Sequence, residues 1–152
     1  KSVIIPKIND KYIVVKDSTY NELTFVVGGC KYKEYIASCA IRELKEETRN
    51  SVRIPKFPEN PTFTFFSRQR STSELKNDIS KGIVVTMKYN VFVINLPSTV
   101  KFKEIKKHYD QSHLLFNLNE YKETNAIYLK SKHELLNSNM WRFMKENVLP
   151  KL

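Results

Sequence analysis

An apolar strand that leads through a glycine pair into a helix is the feature that most constrains this sequence. Residues 23–27 (LTFVV) form the apolar run, Gly28 and Gly29 follow, and a 3.6-residue period starts near Tyr35. The chain has 152 residues and only three glycines, so two adjacent ones need a reason. Glycine permits positive φ angles and lets the backbone approach another group closely. The pattern predicts a strand, a tight loop close to a ligand or metal, and then a helix.

The helix predicted over residues 36–48 has an apolar face and an acidic face. At 100° per residue, one face collects Ala37, Ala40, Ile41, Leu44 and Thr48. Glu43, Glu46 and Glu47 follow each other at i, i+3 and i+4, about 5–6 Å apart at Cβ. Three carboxylates at this spacing repel one another. They form either a solvated helix face or a site for a divalent cation, which prefers oxygen ligands. The preceding glycine pair favours the cation site.

Residues 28–50 resemble the Nudix box, G-x5-E-x7-R-E-U-x-E-E-x-G-U, where U is apolar. Leu44 matches an apolar position, and six further positions match in identity: Gly28, Glu34, Arg42, Glu43, Glu46 and Glu47. Arg49 and Asn50 depart from the motif, because they stand where it has a glycine and an apolar residue. We expect Asn50 to take over the left-handed conformation that ends the helix, one residue later.

The resemblance implies an α+β fold, with a mixed β-sheet between helices in an α/β/α sandwich and a single domain over residues 1–152. It also implies hydrolysis of a nucleoside diphosphate linked to another group. Mg²⁺ or Mn²⁺ would be held by Glu43, Glu46 and Glu47, assisted by a backbone carbonyl of Gly28 or Gly29. A metal-bound water would then attack phosphorus.

The resemblance suggests roles for further residues as well. The general base would be Glu46 or Glu47, or a loop carboxylate, for which Glu120 and Glu123 are the candidates. Arg42 would orient a box glutamate, and Glu34 would have a metal-shell or a structural role. An inactive Nudix-fold module that binds nucleotide or RNA is the alternative of another class, and the complete set of box carboxylates argues against it.

The sequence also resembles Nudix proteins of large cytoplasmic DNA viruses, including poxvirus mRNA-decapping enzymes. The likeness lies in LTFVVGGCKYKEYIASCAIRELKEET and in VTMKYNVFVINL. A formal net charge of +10 is compatible with a polyanionic partner, although a lysine-rich genome would give it too. We therefore expect hydrolysis of capped RNA 5′ ends in the host cytoplasm. The alternative is a small substrate such as ADP-ribose, a dinucleoside polyphosphate, a nucleoside triphosphate or an inositol pyrophosphate.

Outside the box, the signals are weaker. Phe66, Arg68 and Arg70 could bind a base and phosphates, but alternating phenylalanines in a strand are more often core residues. Four lysines could follow an RNA backbone or simply be solvated: Lys101, Lys103, Lys106 and Lys107. Cys30 and Cys39 are expected to be reduced and structural, as in an intracellular protein. We expect no membrane span, no secretory signal and no obligate protein partner.

Hydrophobic periodicity predicts the remaining elements. Residues 11–16 and 23–27 should form a hairpin, and residues 62–70, 83–96 and 126–129 should form strands. Three prolines exclude regular structure before residue 62, and residues 101–113 should be irregular with at most a short helix. One amphipathic helix is expected over residues 132–148, ended by Pro150. Trp141, Phe143 and Met144 on this helix are expected to pack in the core.

Overall fold

The computed structural model describes residues 1–68, 79–82, 86–115 and 122–152, without the side chains of residues 113–115. The strands are β1 (Ser2–Ile8), β2 (Lys11–Asp17), β3 (Leu23–Thr24), β4 (Val26–Gly28), β5 (Phe63–Ser67), β6 (Met87–Asn95) and β7 (Thr124–Ser131). The helices are α1 (Ile36–Glu47), α2 (Phe102–Leu115), α3 (Lys132–Leu136) and α4 (Arg142–Asn147), and a 3₁₀ turn covers Leu149–Lys151. None of these helices is long and apolar enough to cross a bilayer.

The strands form one mixed sheet. Its order is β3-β2-β1-β6-β5, with β4 paired to β1 and β7 paired to β2. β1 and β6 are parallel, whereas the other described pairs are antiparallel. The predicted hairpin is confirmed by the pairing of β2 with β3, but the second half of its apolar run leaves that partner and pairs with β1 as β4.

Helices cover both faces of the sheet. On the first face, α1 and α2 pack on an apolar cluster that includes Ile4, Leu44, Phe92 and Tyr109. On the second face, α3, α4 and the 3₁₀ turn cover a cluster that includes Phe143 and Met144, with Trp141 at its margin. The α/β/α sandwich and the core positions of these three C-terminal residues are therefore confirmed.

The first strand, β1, was not predicted from the sequence, although it lies in the middle of the sheet. Val3, Ile4 and Ile5 are fully buried. Pro6 argues against a central strand because proline cannot donate to a ladder. In the structure, β1 pairs with β4 up to Ile4 and with β2 from Lys7, so Pro6 falls between the two antiparallel ladders.

Two helical predictions were wrong. Residues 102–115 form a helix of 14 residues instead of irregular chain, because Ile105 and Tyr109 pack on the sheet at i, i+4 spacing. The single C-terminal helix is instead split into α3 and α4. A capping box at Ser131 starts α3, and Asn137 ends it. Pro150 lies within the 3₁₀ turn and does not terminate a long helix.

The strand predictions were correct in place but not in length. β5 starts one residue later than predicted and ends at Ser67, and residues 69 and 70 of the prediction lie outside the described part of the chain; β7 extends beyond both predicted ends. β6 starts at Met87, and residues 83–85 of the predicted strand lie outside the described part of the chain. The segment with three prolines before Thr62 contains no helix or strand, as predicted.

Candidate active site

The first half of the site is the contact between β4 and the last turns of α1. The Val27 N–H donates to Glu47 Oε2 over 2.9 Å. The Glu43 carboxyl group lies directly on Gly28, where an added Cβ would overlap it. Glu43 is therefore only 6% exposed and Glu47 only 9%. These glutamates do not form a solvated face, and Gly28 is the residue that leaves space for one of them.

The other face of α1 departs from the prediction at one position. Ala40, Leu44 and Thr48 are buried, as expected. Ile41 was predicted to be on the buried face, but 48% of it is exposed. The buried face of α1 thus includes Glu43 and Glu47, and Ile41 lies outside it.

Arg42 is the centre of an ion-pair network. Its Nε and Nη2 donate to the two carboxylate oxygens of Glu34 over 2.9 and 3.0 Å, a bidentate pair. Its Nη1 donates to Glu43 over 2.9 Å and more weakly to Glu46 at 3.4 Å. Its Nη2 also donates to the Gly29 carbonyl oxygen over 2.9 Å. Arg42 thus contacts three box glutamates and one of the loop glycines, an arrangement compatible with its predicted orienting role.

Glu34 is held from two sides. The hydrogen bond from Arg42, followed by that from the Lys31 N–H, lowers the pKa of Glu34 to about 2. Its contacts with Arg42 and Lys31 shape the loop between Gly29 and α1. In this structure the side chain of Glu34 thus contacts the loop and Arg42.

The pKa values of the buried Glu43 and Glu47 are raised, in contrast to that of Glu34. Burial raises the pKa of Glu47 well above its ordinary value, and repulsion from Glu43, Glu123 and Asp17 raises it further. Burial is also the largest cause of the raised pKa of Glu43, to which Glu46 and Glu123 add. Ionised carboxylates are unfavourable in such surroundings unless positive charge is nearby.

Glu123 approaches the box from the chain that leads into β7. The Ser18 N–H donates to the Glu123 carbonyl oxygen over 2.9 Å, and the Ser18 hydroxyl donates to the Lys122 carbonyl oxygen. The Thr124 hydroxyl donates to the Glu47 carbonyl oxygen over 2.8 Å, which ties this segment to the end of α1. Of the two predicted loop carboxylates, Glu123 lies near the box, and Glu120 lies outside the described residues.

The end of α1 differs from the expectation. Asn50 is left-handed with φ 57°, as predicted, but Arg49 is also left-handed with φ 54°. The Arg49 guanidinium group is buried and donates to the carbonyl oxygens of Tyr109 and Thr124 over 3.4 and 2.9 Å. It also lies 4.2 Å from the centre of the Tyr109 ring. Arg49 thus joins α1, α2 and β7, which the sequence did not indicate.

Cys30 and Cys39 form a disulfide, so the expectation of two reduced cysteines was wrong. Cys30 directly follows Gly29, and Cys39 lies in α1, nine residues later. The bond fastens the loop to the helix. The signal in the sequence was the position of the two cysteines on either side of a turn that folds back on its own helix. Cys30 and Cys39 lie close to Glu34, but as members of the disulfide they offer a metal no free thiol.

The predicted substrate residues are only partly described. Phe63 and Phe65 pack against the second face, as core residues do, but 67% of Phe66 is exposed. Arg68 is also exposed, and Arg70 lies outside the described residues. No described contact joins Phe66 or Arg68 to the box glutamates.

Solved structures match this chain over nearly its whole length. The dihydroneopterin triphosphate pyrophosphohydrolase of E. coli has a TM-score of 0.61 and 12% identity, covering 99% of this chain and 92% of that one. The NUDIX domain of Shewanella oneidensis NrtR, complexed with ADP ribose, has a TM-score of 0.58 and 10% identity, covering 99% and 81%. A NUDIX-family hydrolase of Clostridium perfringens has a TM-score of 0.55 and 16% identity, covering 99% and 90%. This chain has the Nudix fold.

No family model and no curated protein matches the sequence. The fold is therefore identified from structural similarity at low identity.

Proposed function

We propose that the protein is a metal-dependent Nudix hydrolase that cleaves a nucleoside diphosphate linked to a small group. The observation that carries this proposal is the burial of Glu43 and Glu47 against β4, with Glu46 and Glu123 close by. Burying several glutamates that repel one another destabilises the folded state. Evolution tolerates such a cost where function needs it.

The donor set fits Mg²⁺ or Mn²⁺. All candidate side-chain ligands are carboxylate oxygens, which hard divalent cations prefer, and Gly28 leaves space beside Glu43. Glu43, Glu46 and Glu47 would hold the metal, which when bound would neutralise phosphate charge and lower the pKa of a bound water. Arg42 would keep Glu43 and Glu46 oriented through its hydrogen bonds.

We assign the role of general base to Glu123. Glu47 is buried and already accepts a hydrogen bond from Val27, so it suits the role of a fixed ligand. Glu123 is exposed, and its backbone is held by Ser18. A carboxylate near the metal ligands and open to solvent can take a proton from the attacking water and release it.

The names of the structural neighbours favour a small phosphorylated substrate. They refer to dihydroneopterin triphosphate and ADP ribose, and neither refers to RNA. The expectation of capped RNA has no support from these neighbours. It stays a second candidate because Lys103, Lys106 and Lys107 form an exposed basic surface on α2. Binding of RNA would weaken steeply with salt, and binding of a small nucleotide would weaken less.

The direct test is product analysis with Mg²⁺ or Mn²⁺ on four substrates: ADP-ribose, diadenosine tetraphosphate, a nucleoside triphosphate and capped RNA. We expect cleavage of at least one small nucleotide. In Glu46→Gln, Glu47→Gln and Glu123→Gln the rate should fall by about 100-fold or more. The matched control is Glu59→Gln, an exposed glutamate in the proline-rich segment.

Three outcomes separate the alternatives. Cleavage of capped RNA alone would favour the second candidate. Nucleotide binding without any product would make the protein a Nudix-fold binding module. Unchanged rates in Glu46→Gln and Glu47→Gln would contradict the assignment of the site.

A further inference from the structure

An open pocket lies between the sheet and the segment that joins α3 to α4. Its volume is about 420 Å³, and small-molecule sites in proteins usually have roughly 300–1,000 Å³. The strands β2 and β7 contribute part of its lining. The rest comes from β3 and the turn before it, from α3, and from Ser138 and Asn139. Several distant parts of the chain thus meet around one concave space that is accessible from solvent.

The pocket and the box glutamates lie on opposite sides of the sheet. Tyr128 lines the pocket and pairs with Val14, and both pack in the cluster on the second face. The helix α1, which carries the glutamates, packs on the first face through Ala40 and Leu44. A ligand in the pocket would therefore be separated from the box by the sheet itself.

Two lysines line the pocket at positions where the strands face the core. Tyr12 is buried on the second face, and Lys16, four residues later in β2, points to the same face. Lys16 pairs with Ala126, two residues before Tyr128. Lys130 lies two residues after Tyr128, and its Nζ is 5.4 Å from the centre of the Tyr128 ring. Both lysines are half-buried, and they stand on either side of this aromatic ring.

The charged groups of the lining sum to a positive charge. Glu134 is the acidic residue of the lining, and one of its oxygens accepts a hydrogen bond from the Ser131 N–H over 3.0 Å. The other oxygen lies 4.0 Å from Lys130 Nζ, so Glu134 offsets one of the two lysines. Within the described part of the chain, the Lys16 ammonium group makes no hydrogen bond or ion pair. This surplus of positive charge favours an anionic ligand.

The wall opposite the lysines is fixed by the backbone. The Leu23 N–H donates to the Asn139 carbonyl oxygen over 2.9 Å, and the Trp141 N–H donates to the Leu23 carbonyl oxygen over 2.7 Å. The Asn21 side-chain amide lines the pocket and makes no hydrogen bond to other described residues. Its donor and its acceptor can therefore bond to a ligand. Leu23 and the Tyr128 ring provide apolar surface for the same ligand.

We propose that this pocket is a second binding site, separate from the active site, for a nucleoside monophosphate. The phosphate group lies between the ammonium groups of Lys16 and Lys130. The base lies against Leu23 and Tyr128, and the Asn21 amide bonds to its edge. Such a ligand has no phosphoric anhydride bond, so it is not a substrate of the proposed hydrolysis. The inference is therefore independent of that reaction.

Calorimetric titration in the presence of EDTA tests this binding, because chelation excludes metal-dependent binding at the glutamates. The probes are AMP, GMP, CMP and UMP, each compared with its nucleoside and with inorganic phosphate. We expect at least one of these nucleotides to bind once per chain. Its affinity should exceed that of its nucleoside and that of phosphate by about tenfold or more, since a charge-assisted hydrogen bond is lost or the base is absent. Absence of saturable binding of all four nucleotides would overturn the proposal.

Two variants locate the phosphate. Lys16→Met and Lys130→Met remove one charge each and keep an unbranched side chain. Each should weaken nucleotide binding about tenfold and leave binding of the nucleoside unchanged. Lys103→Met, which removes the charge of an exposed lysine on α2, is the matched control and should bind like the wild type. Equal affinities of all three variants would place the nucleotide elsewhere and overturn the proposal.

Glu134→Gln gives a measurement that a purely structural role would not change. Glutamine can retain the capping box with Ser131, so α3 should form as before. The variant loses the negative charge beside Lys130, so the nucleotide should bind severalfold more tightly at low ionic strength. An unchanged or lower affinity would mean that the phosphate does not lie beside Lys130, which contradicts the proposal.

Glu46→Gln distinguishes the pocket from the active site. In EDTA this variant should bind the nucleoside monophosphate like the wild type, whereas Lys16→Met should retain the wild-type rate of hydrolysis. Loss of nucleotide binding in Glu46→Gln but not in Lys16→Met would assign the binding to the active site and overturn this inference alone. Intact binding in the pocket without hydrolysis of any substrate would overturn the proposed function alone.

Discussion

The Glu43 carboxyl group occupies the space beside Gly28 in which the Cβ of any larger residue at position 28 would lie. Gly28→Ala should therefore push Glu43 away from β4. Because this carboxyl group is the far end of a flexible side chain and can turn aside, the loss in the free energy of unfolding should stay below the roughly 1–3 kcal/mol of an overpacked core site. Metal-dependent activity should fall sharply. Urea unfolding and a metal titration would measure the two effects.

Gly29→Ala is the matched control for this substitution. No atom lies within 4 Å of a Cβ added at Gly29, and its φ angle is not in the left-handed region. The variant should unfold like the wild type and keep its activity. Equal effects of the two substitutions would show that the loop needs glycine flexibility and not the space beside Glu43.

Glu34 gives a prediction about pH. Its pKa is lowered to about 2 in the folded protein, chiefly by Arg42, from an ordinary value of 4.5. A lowered carboxyl pKa stabilises the fold above the unfolded value, and this contribution is lost as the pH falls through the folded value. Wild type should thus be more stable than Glu34→Gln at pH 6, and the difference should shrink between about pH 4.5 and pH 2.

Unfolding of both proteins at several pH values would measure this difference. Carboxyl groups that do not contact Arg42 titrate alike in both proteins, so their contributions cancel. Glu59→Gln, which has an exposed side chain, is the control and should show no such pH dependence. A difference between wild type and Glu34→Gln that stays constant down to pH 2 would contradict the role of the Arg42 pair.

The motif could be predicted from the sequence because its chemistry is local. Gly28, the acidic helix and Arg42 lie within 20 residues of each other, and their spacing alone implies that they meet. The α/β/α class followed from the alternation of strand and helix patterns. The two helices at the C-terminus were not separated, because the contacts that interrupt the helical pattern join residues 139–141 to the distant Leu23.

What the sequence did not reveal depends on distant partners. Arg49 bonds to residues 60 and 75 positions away, and no local pattern predicts that. β1 was missed because Pro6 argues against a strand unless one knows where its partners change.

The disulfide predicts a redox-dependent stability. Cys30 and Cys39 close a short loop, and the chain-entropy model gives about 2–3 kcal/mol for a loop of this size. A reducing agent should lower the Tm of the wild type and should leave the Tm of the Cys30→Ser, Cys39→Ser double variant unchanged. Thiol titration of the unfolded protein, with and without reductant, would count the cysteines. Two free thiols before reduction would contradict the bond.

Arg49 gives the last prediction, because it replaces the glycine of the motif that this sequence resembles. Arg49→Gly relieves a left-handed φ of 54°, which by itself is stabilising. It also removes hydrogen bonds from a buried cation to the Tyr109 and Thr124 carbonyl oxygens, each worth about 1.5–3 kcal/mol. The loss should exceed the gain, so the variant should be less stable.

The lower stability of Arg49→Gly should be most evident in the segment around Thr124. Thr124 carries the bond to the end of α1, and Glu123 precedes it, so amide hydrogen exchange over residues 122–126 should accelerate in Arg49→Gly. Arg49→Lys keeps the charge but has a single ammonium group in place of the forked guanidinium group. Its stability and its exchange rate should therefore lie between those of the wild type and Arg49→Gly. If Arg49→Gly is as stable as the wild type and the segment exchanges no faster, the guanidinium group does not hold Glu123 in place.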